Sequence, residues 1–319
     1  MDSSAIADRR QLRRRLTFWR IAAVLLLVGL GFALYGVFGG DLSTATRGPQ
    51  IARVTVSGLI QDDADLLERL KTIRDDRRVR ALIVSISSTG GTTYGGERIF
   101  KAIREVAAQK PVVSDIRTVA ASAGYMVALA GDDIVAGDTS ITGSIGVLFQ
   151  YPQAKDLLDK LGVSLEEIKS APLKAEPSPF HPPSEEAKAM IRNMVMDSFD
   201  WFVDLVADRR KMPREEALKL ADGSIFTGRQ ALKARLIDTL GGEEAILAYL
   251  ASRNVDRTLP IVDWRPARRG FTLFGSDAAS RLINLLGYDD FVKGHDLQKL
   301  MTEKLFLDGL LSLWQGVEH

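Results

Sequence analysis

The chain has 319 residues, of which 46% are apolar and 26% charged, and its formal net charge is +1 at pH 7. This length can bury one large domain or two modest ones, and the near-neutral charge gives no reason to expect a nucleic-acid partner. Cysteine is absent, which excludes disulfides, a cysteine nucleophile and zinc–thiolate sites.

The three histidines, His181, His295 and His319, are far apart in the sequence and lack the spacing of metal ligands. Ordinary surface or loop positions are the simpler interpretation of all three. The sequence therefore offers too few histidines to favour a histidine-based triad or metal site, and we expect neither a metal nor an organic cofactor.

The N-terminal region carries a basic cluster followed by an apolar run. Six arginines lie within residues 1–20, and Ile21 to Phe38 contains no charged side chain. As a helix these eighteen residues would span about 27 Å, close to the thickness of a bilayer core. The positive-inside rule places residues 1–20 in the cytoplasm and the rest of the chain in the periplasm or outside the cell.

A cleaved signal peptide is the competing interpretation of the same pattern. The run is longer than a usual signal-peptide core, and no clear small-x-small cleavage site follows it. We therefore predict a single-pass inner-membrane anchor over residues 21–38, then a polar linker over residues 39–50 that contains Gly48 and Pro49.

The following segments alternate between strand and helix patterns in chain order. Strands are predicted at 51–60, 79–86, 111–116 and 134–135, and helices at 62–78, 94–107 and 122–130. This alternation predicts an α/β domain with a largely parallel sheet. Sites in such sheets gather where strands lead into helices, which here means Ser88–Gly91 and Ala120–Gly124.

The second half of the chain is less regular. Five prolines between residues 169 and 183 predict an irregular loop. Apolar residues at helical spacing predict a long helix from Glu185 to Lys211 and a final amphipathic helix from Leu297 to Trp314. A membrane-surface contact, a subunit contact and a self-inhibiting segment are all compatible with that last helix.

Two groups in these strand ends have the chemistry of acyl transfer. Ser122 is predicted at a helix N-terminus, where unpaired backbone N–H groups favour negative charge. It is either a nucleophile or an ordinary N-cap. Gly90 and Gly91 are predicted to break the second strand, so that their N–H groups either bind an oxyanion or simply form a tight turn.

A serine nucleophile also needs a base. With histidine scarce, a lysine is the alternative, since burial can lower its pKa enough to leave it neutral near pH 7. Lys169 and Lys174 lie in the proline-rich loop among apolar and small residues. Composition does not choose between them.

Five linked motifs occur in order along the chain. They are Ser88-Thr89-Gly90-Gly91, Ala121-Ser122-Ala123-Gly124-Tyr125, Thr142-Gly143-Ser144-Ile145-Gly146, Lys169-Ser170-Ala171-Pro172-Leu173-Lys174 with Ser178-Pro179-Phe180, and Ala221-Asp222-Gly223 with Thr227-Gly228-Arg229-Gln230-Ala231. Together they resemble the short, single-repeat form of the signal peptide peptidase A family. The resemblance covers about Ile51 to Ala245.

The resemblance implies a Clp/crotonase-like peptidase domain over residues 51–250, with a C-terminal extension over 251–319. It implies that Ser122 is the nucleophile of a serine endopeptidase and that Lys174, rather than Lys169, is its general base. Ser144 corresponds to the serine that hydrogen-bonds the lysine, and Gly91 and Ala123 are the expected oxyanion donors.

The resemblance also implies partners. Members of the family form dome-shaped homo-oligomers in which the lysine can come from a neighbouring subunit, so a monomer would be inactive. Their substrates are remnant signal peptides, cut within the apolar stretch, and an anchor in membrane lipid would hold the cleft near such substrates.

Two positions depart from the family pattern. Thr89 stands where proline is common, and Ala123 where glycine is common. These departures leave open a catalytically silent scaffold on the same fold. An acyl-CoA enzyme of crotonase type and a hydrolase using His181 are further alternatives, although the outward-facing topology argues against the acyl-CoA enzyme.

Overall fold

The structure is a computed structural model, and it describes residues 18–29, 31, 48–265 and 311–313. The chain divides into two compact units, residues 1–48 with 267–299 and residues 49–266 with 300–319. In the first unit, residues 18–29 form a helix. None of the helices described is long and apolar enough to cross a bilayer, and residues 30 and 32–38 of the predicted anchor lie outside the described part.

The second unit is built on one mixed sheet. Its strands are β1 (Gln50–Ile60), β2 (Val79–Thr92), β3 (Val112–Ala121), β4 (Asp133–Ala136), β5 (Ile141–Gly143), β6 (Ile225–Thr227), β7 (Thr239–Leu240), β8 (Ile261–Asp263) and β9 (Leu311–Leu313). Its helices are α1 (Ala64–Asp75), α2 (Thr93–Ala107), α3 (Ala123–Ala128), α4 (Lys155–Lys160), α5 (Glu185–Arg210), α6 (Arg214–Lys219), α7 (Gly228–Lys233) and α8 (Glu243–Ser252).

The strands run β6-β5-β3-β2-β1-β8 across the sheet, with β4 beside β3, β7 beside β4, and β9 beside β2. The pairs among β1, β2, β3, β4, β7 and β8, and the β3–β5 pair, are parallel, whereas β5–β6 and β2–β9 are antiparallel. The predicted α/β architecture is therefore confirmed. Because β2 and β3 are parallel, their carboxyl-terminal ends lie on the same side of the sheet.

The sheet has a hydrophobic layer on each face, which explains the continuous apolar run in β2. Leu82, Val84 and Ile86 contribute to the larger core, together with residues of α1, α2, α3 and α5. Ala81 and Ile83 point to the other face, where residues of α8 cover them. Alternate residues of a strand face opposite sides, so a strand covered on both faces needs apolar residues at every position.

The predicted break at the paired glycines is wrong, because β2 continues through them to Thr92. Gly90 has a φ of +121°, a conformation that favours glycine. A Cβ atom on Gly91 would lie 1.9 Å from the Ile60 carbonyl oxygen. The glycines thus allow β1 to approach β2 closely, and they extend the strand instead of ending it.

Two further strands come from the predicted C-terminal extension. β8 pairs with β1, and β9 pairs with the end of β2. The predicted helix from Leu297 to Trp314 is wrong for residues 311–313, and its other residues lie outside the described part. Backbone pairing with an exposed strand edge explains the difference, because tertiary contacts override local helical periodicity.

Asp133, the first residue of β4, is a buried carboxyl group without full hydrogen bonding. Its Oδ2 atom has no hydrogen-bond partner among the described residues. Burial, reinforced by the nearby negative charge of Asp238 and opposed by Arg210, raises the pKa of Asp133 to about 6. The folded state therefore binds a proton more tightly than the unfolded chain does.

We predict that Asp133→Asn stabilises the domain at pH 7.5 by a few degrees in Tm. Wild-type stability falls as pH rises from about 4 to 6, because the unfolded chain loses this proton first. The gain from the amide should therefore be clearly smaller at pH 4.5, where the folded protein keeps the carboxyl group protonated. Thermal denaturation at both pH values measures it, with the exposed Asp197→Asn as control, and an equal shift at both would contradict the explanation.

Candidate active site

Ser122 occupies the junction between β3 and α3. β3 ends at Ala121 and α3 begins at Ala123, so Ser122 holds the N-cap position. The residue is only 1% exposed, with φ 58° and ψ −120°. A left-handed φ is strained for a residue with a side chain, and such strain is concentrated at functional sites.

Other helices of the chain show what an ordinary N-cap does. Asp63, Thr92, Ser184 and Thr227 all have extended backbones, and each side chain accepts a hydrogen bond from the first turn of its helix. Ser122 has neither the extended conformation nor a side-chain capping bond. The structure thus excludes a capping role for its hydroxyl group.

The backbone of Ser122 is held by β5. Its N–H group donates to the Gly143 carbonyl oxygen at 2.8 Å, and the next amide, that of Ser144, donates to the Ser224 carbonyl oxygen at 2.7 Å. Gly143 has a φ of +89°, and a Cβ atom there would lie 2.6 Å from the ring of Phe226. Ser144 is buried and directly follows Gly143, the residue that holds the Ser122 amide; its predicted hydrogen bond to the lysine stays a prediction.

Two residues beyond Ser122, the start of α3 approaches β2 closely. A Cβ atom on Gly124 would lie 2.8 Å from the Ser88 carbonyl oxygen. The Ser88 hydroxyl group donates to the Gly58 carbonyl oxygen at 2.6 Å and accepts from the Gly90 N–H group at 3.1 Å. Ser88, which the sequence analysis gave no role of its own, therefore fixes the glycine segment. A polar residue just after the predicted apolar strand 79–86 was the available signal.

The two predicted oxyanion donors lie on the segments that meet here. Gly91 belongs to the last part of β2, and Ala123 is the first helical residue of α3. Amides of a first helical turn lack partners within the helix. The structure thus places a strained serine directly before the start of α3, whose second residue, Gly124, approaches β2 closely.

Lys174 lies in the predicted irregular loop, in a turn where its own N–H group donates to the Ala171 carbonyl oxygen. Its side chain is exposed in the single chain. Within the part of the chain that the structure describes, its ammonium group makes no hydrogen bond to Ser122. A single copy therefore does not assemble the predicted pair.

Lys169 has a different environment from Lys174. Its Nζ atom lies 2.7 Å from a carboxylate oxygen of Glu167 and 2.7 Å from one of Glu176. The hydrogen bond to Glu167, and secondly the one to Glu176, raise the pKa of Lys169. The residue therefore stays protonated and is unsuited to act as a base. His181 approaches the same two carboxylates, and it belongs to this ion-pair cluster.

No group of three or more His, Asp or Glu side chains within residues 48–265 is arranged to hold a metal ion.

Comparisons with known proteins identify the family that the chain resembles. Residues 104–256 match the family described as Peptidase family S49. An Enterococcus faecium protein named "Putative signal peptide peptidase SppA" is 30% identical over 262 residues, which cover 77% of this chain and 76% of that protein. The chloroplastic serine protease SPPA of Arabidopsis thaliana is 33% identical over 295 residues, covering 88% of this chain and 42% of that protein.

Among solved structures, a mutant of the membrane-bound stomatin-specific protease 1510-N aligns with a TM-score of 0.49 and 16% identity. The alignment covers 69% of this chain and 99% of that one.

The backbone at Ser122 generates a stability prediction. Glycine adopts a left-handed φ without a steric penalty, whereas alanine does not. We expect Ser122→Gly to be more stable than Ser122→Ala by about 1 kcal/mol. Urea denaturation of both variants measures the difference. Equal stabilities, or a more stable alanine variant, would show that the backbone at this position is not strained.

Proposed function

Because the chain belongs to the signal peptide peptidase A family, peptidase family S49, we propose that it is a serine endopeptidase with Ser122 as nucleophile and Lys174 as general base. The observation that carries the proposal is the backbone of Ser122. A buried serine at a helix start, with a φ of 58° and no capping bond, has the strained geometry of a serine held for attack.

In the proposed reaction, the free-amine form of Lys174 removes the Ser122 hydroxyl proton while Oγ attacks the scissile carbonyl carbon. The oxyanion accepts hydrogen bonds from the Gly91 and Ala123 N–H groups, each worth on the order of 3 kcal/mol. Collapse of the intermediate breaks the C–N bond, and the lysine proton passes to the leaving amine. Water then hydrolyses the acyl-enzyme and restores Ser122.

We further propose that Lys174 reaches Ser122 of a neighbouring subunit in a homo-oligomer. The exposed position of Lys174 in a single chain supports this arrangement, because an isolated chain leaves it in water. Large apolar side chains are also exposed along the segment that leads to it: Leu157, Leu161, Val163, Leu165 and Ile168. Several large apolar side chains exposed along one segment are typical of a subunit interface.

The site is proposed to work beside a membrane, in a Clp/crotonase-like domain. The apolar run 21–38 supports an inner-membrane anchor with a cytoplasmic N-terminus, and the described helix over residues 18–29 exposes large apolar side chains, including Leu25, Leu26 and Leu27. The catalytic domain would then face the periplasm or cell exterior. Remnant signal peptides and other apolar peptides are the substrates that suit this location.

A catalytically silent scaffold is the second candidate. Thr89 and Ala123 depart from the family pattern, and the single chain does not bring Lys174 to Ser122. The strained serine favours the enzyme, since a scaffold gains nothing from a costly backbone conformation.

The activity is tested with a fluorogenic leucine-rich peptide and the full-length protein in detergent. We expect Ser122→Ala and Lys174→Ala each to lower kcat/KM by about a thousandfold or more, because the two residues act as a unit. Lys169→Ala is the matched control and should stay within a few-fold of wild type. If Lys169→Ala were as inactive as Lys174→Ala, the assignment of Lys174 as the base would be unsupported. An inactive wild type would favour the scaffold.

Mixing variants tests whether the site is shared. If Lys174 acts on a neighbouring subunit, Ser122→Ala and Lys174→Ala chains should recover a substantial share of wild-type activity when they are dissociated and reassembled together. Each variant reassembled alone is the control. Failure of the mixture, when wild type survives the same treatment, would place both residues of the pair in one chain.

A further inference from the structure

The short strand β9 lies on the same edge of β2 as the site. Leu313, Ser312 and Leu311 pair antiparallel with Gly90, Gly91 and Thr92. Gly90 and Gly91 already pair with Leu59 and Ile60 of β1 on their other edge. β9 therefore occupies the edge that faces away from β1.

The same edge of β2 pairs with β3, the strand that ends next to Ser122. β3 occupies it as far as the pair between Ser88 and Ala120, and two residues beyond Ala120 the chain reaches Ser122. Beyond the last β3 pair, the same edge of β2 pairs with β9. β9 also contacts α3, the helix that begins next to Ser122. An extended segment of the C-terminal region thus lies along Gly91, beside the candidate nucleophile.

A peptide substrate needs the same edge. An extended chain docks by adding a strand to an open sheet edge, with main-chain hydrogen bonds supplying much of the affinity. Only one strand can pair with a given edge at a time. The strand edge at Gly90–Thr92 is therefore available either to β9 or to a substrate, but not to both.

The local sequence fits such an occupant. Residues 305–314 read LFLDGLLSLW, a stretch rich in leucine with one acidic residue. An apolar peptide of this kind is the substrate class proposed above. The tail therefore has the composition of a ligand for the strand edge that residues 311–313 occupy.

We propose that residues 311–313 are a built-in competitor, which occupies the substrate strand position at Gly90–Thr92 until an apolar peptide displaces it. This inference rests on the proposed function only for its consequence on catalysis. Three paired residues make few hydrogen bonds, so the tail holds the edge mainly through its high effective concentration, and a longer apolar peptide can displace it.

Kinetics of the full-length protein tests the competition. Ser312→Pro removes the central N–H group of β9 and disfavours pairing, and Val317→Pro is the matched control outside the paired residues. We expect Ser312→Pro to lower KM for an apolar peptide about fivefold or more with little change in kcat, as release from a competitor requires. Val317→Pro should match wild type, and identical kinetics for both variants would overturn the proposal.

A binding measurement separates this inference from the proposed function. A fluorescein-labelled peptide of residues 305–316 is titrated by anisotropy into Ser122→Ala protein, with or without Ser312→Pro. We expect at least fivefold tighter binding when Ser312→Pro is present, because the edge is then open, and a leucine-rich peptide should displace the probe. Equal affinities would refute the competitor even in an active protease. If Ser312→Pro tightens peptide binding as expected but the wild-type protein has no peptidase activity, the tail still occupies the strand edge, and only the proposed catalysis is refuted.

Discussion

The structure depends on one constrained residue, Ser122, whose backbone is held in a left-handed conformation. Such a conformation costs about 1–3 kcal/mol and persists only where surrounding contacts determine it. Here the Gly143 carbonyl oxygen fixes the Ser122 amide, and the close approach of Gly124 to Ser88 fixes the start of α3. The sheet thus holds a serine hydroxyl group away from the capping role that other helices of the chain assign to this position.

Much of the fold could be predicted from periodicity, because the parallel strands are short apolar runs between amphipathic helices. The path of β2 through Gly90 and Gly91 could not be predicted. Paired glycines usually mark a turn, and the reason they extend this strand is the position of Ile60, which lies thirty residues earlier. The strand at residues 311–313 was missed for a related reason: its partner is an edge more than two hundred residues away, and local spacing does not encode that pairing.

The candidate site, too, could be predicted only in part from the sequence. Ser122 and Gly91 belong to short local motifs, so their placement at one edge of a parallel sheet follows from the order of the strands. The choice between Lys169 and Lys174 depends on neighbours that composition does not reveal. Glu167 and Glu176 bind the Lys169 ammonium group and keep it charged, whereas Lys174 is exposed in the single chain. If the proposed shared site is correct, a subunit alone is inactive, and proteolysis is confined to the assembled form.

The most direct test of the central claim is to map the residue that reacts with a fluorophosphonate. The assembled full-length protein is treated with the reagent and digested, and the adduct is located by mass spectrometry. The account predicts one modified residue, Ser122, and loss of labelling when Lys174 is replaced by alanine. An adduct on another serine, or peptide hydrolysis that continues without modification of Ser122, would contradict it.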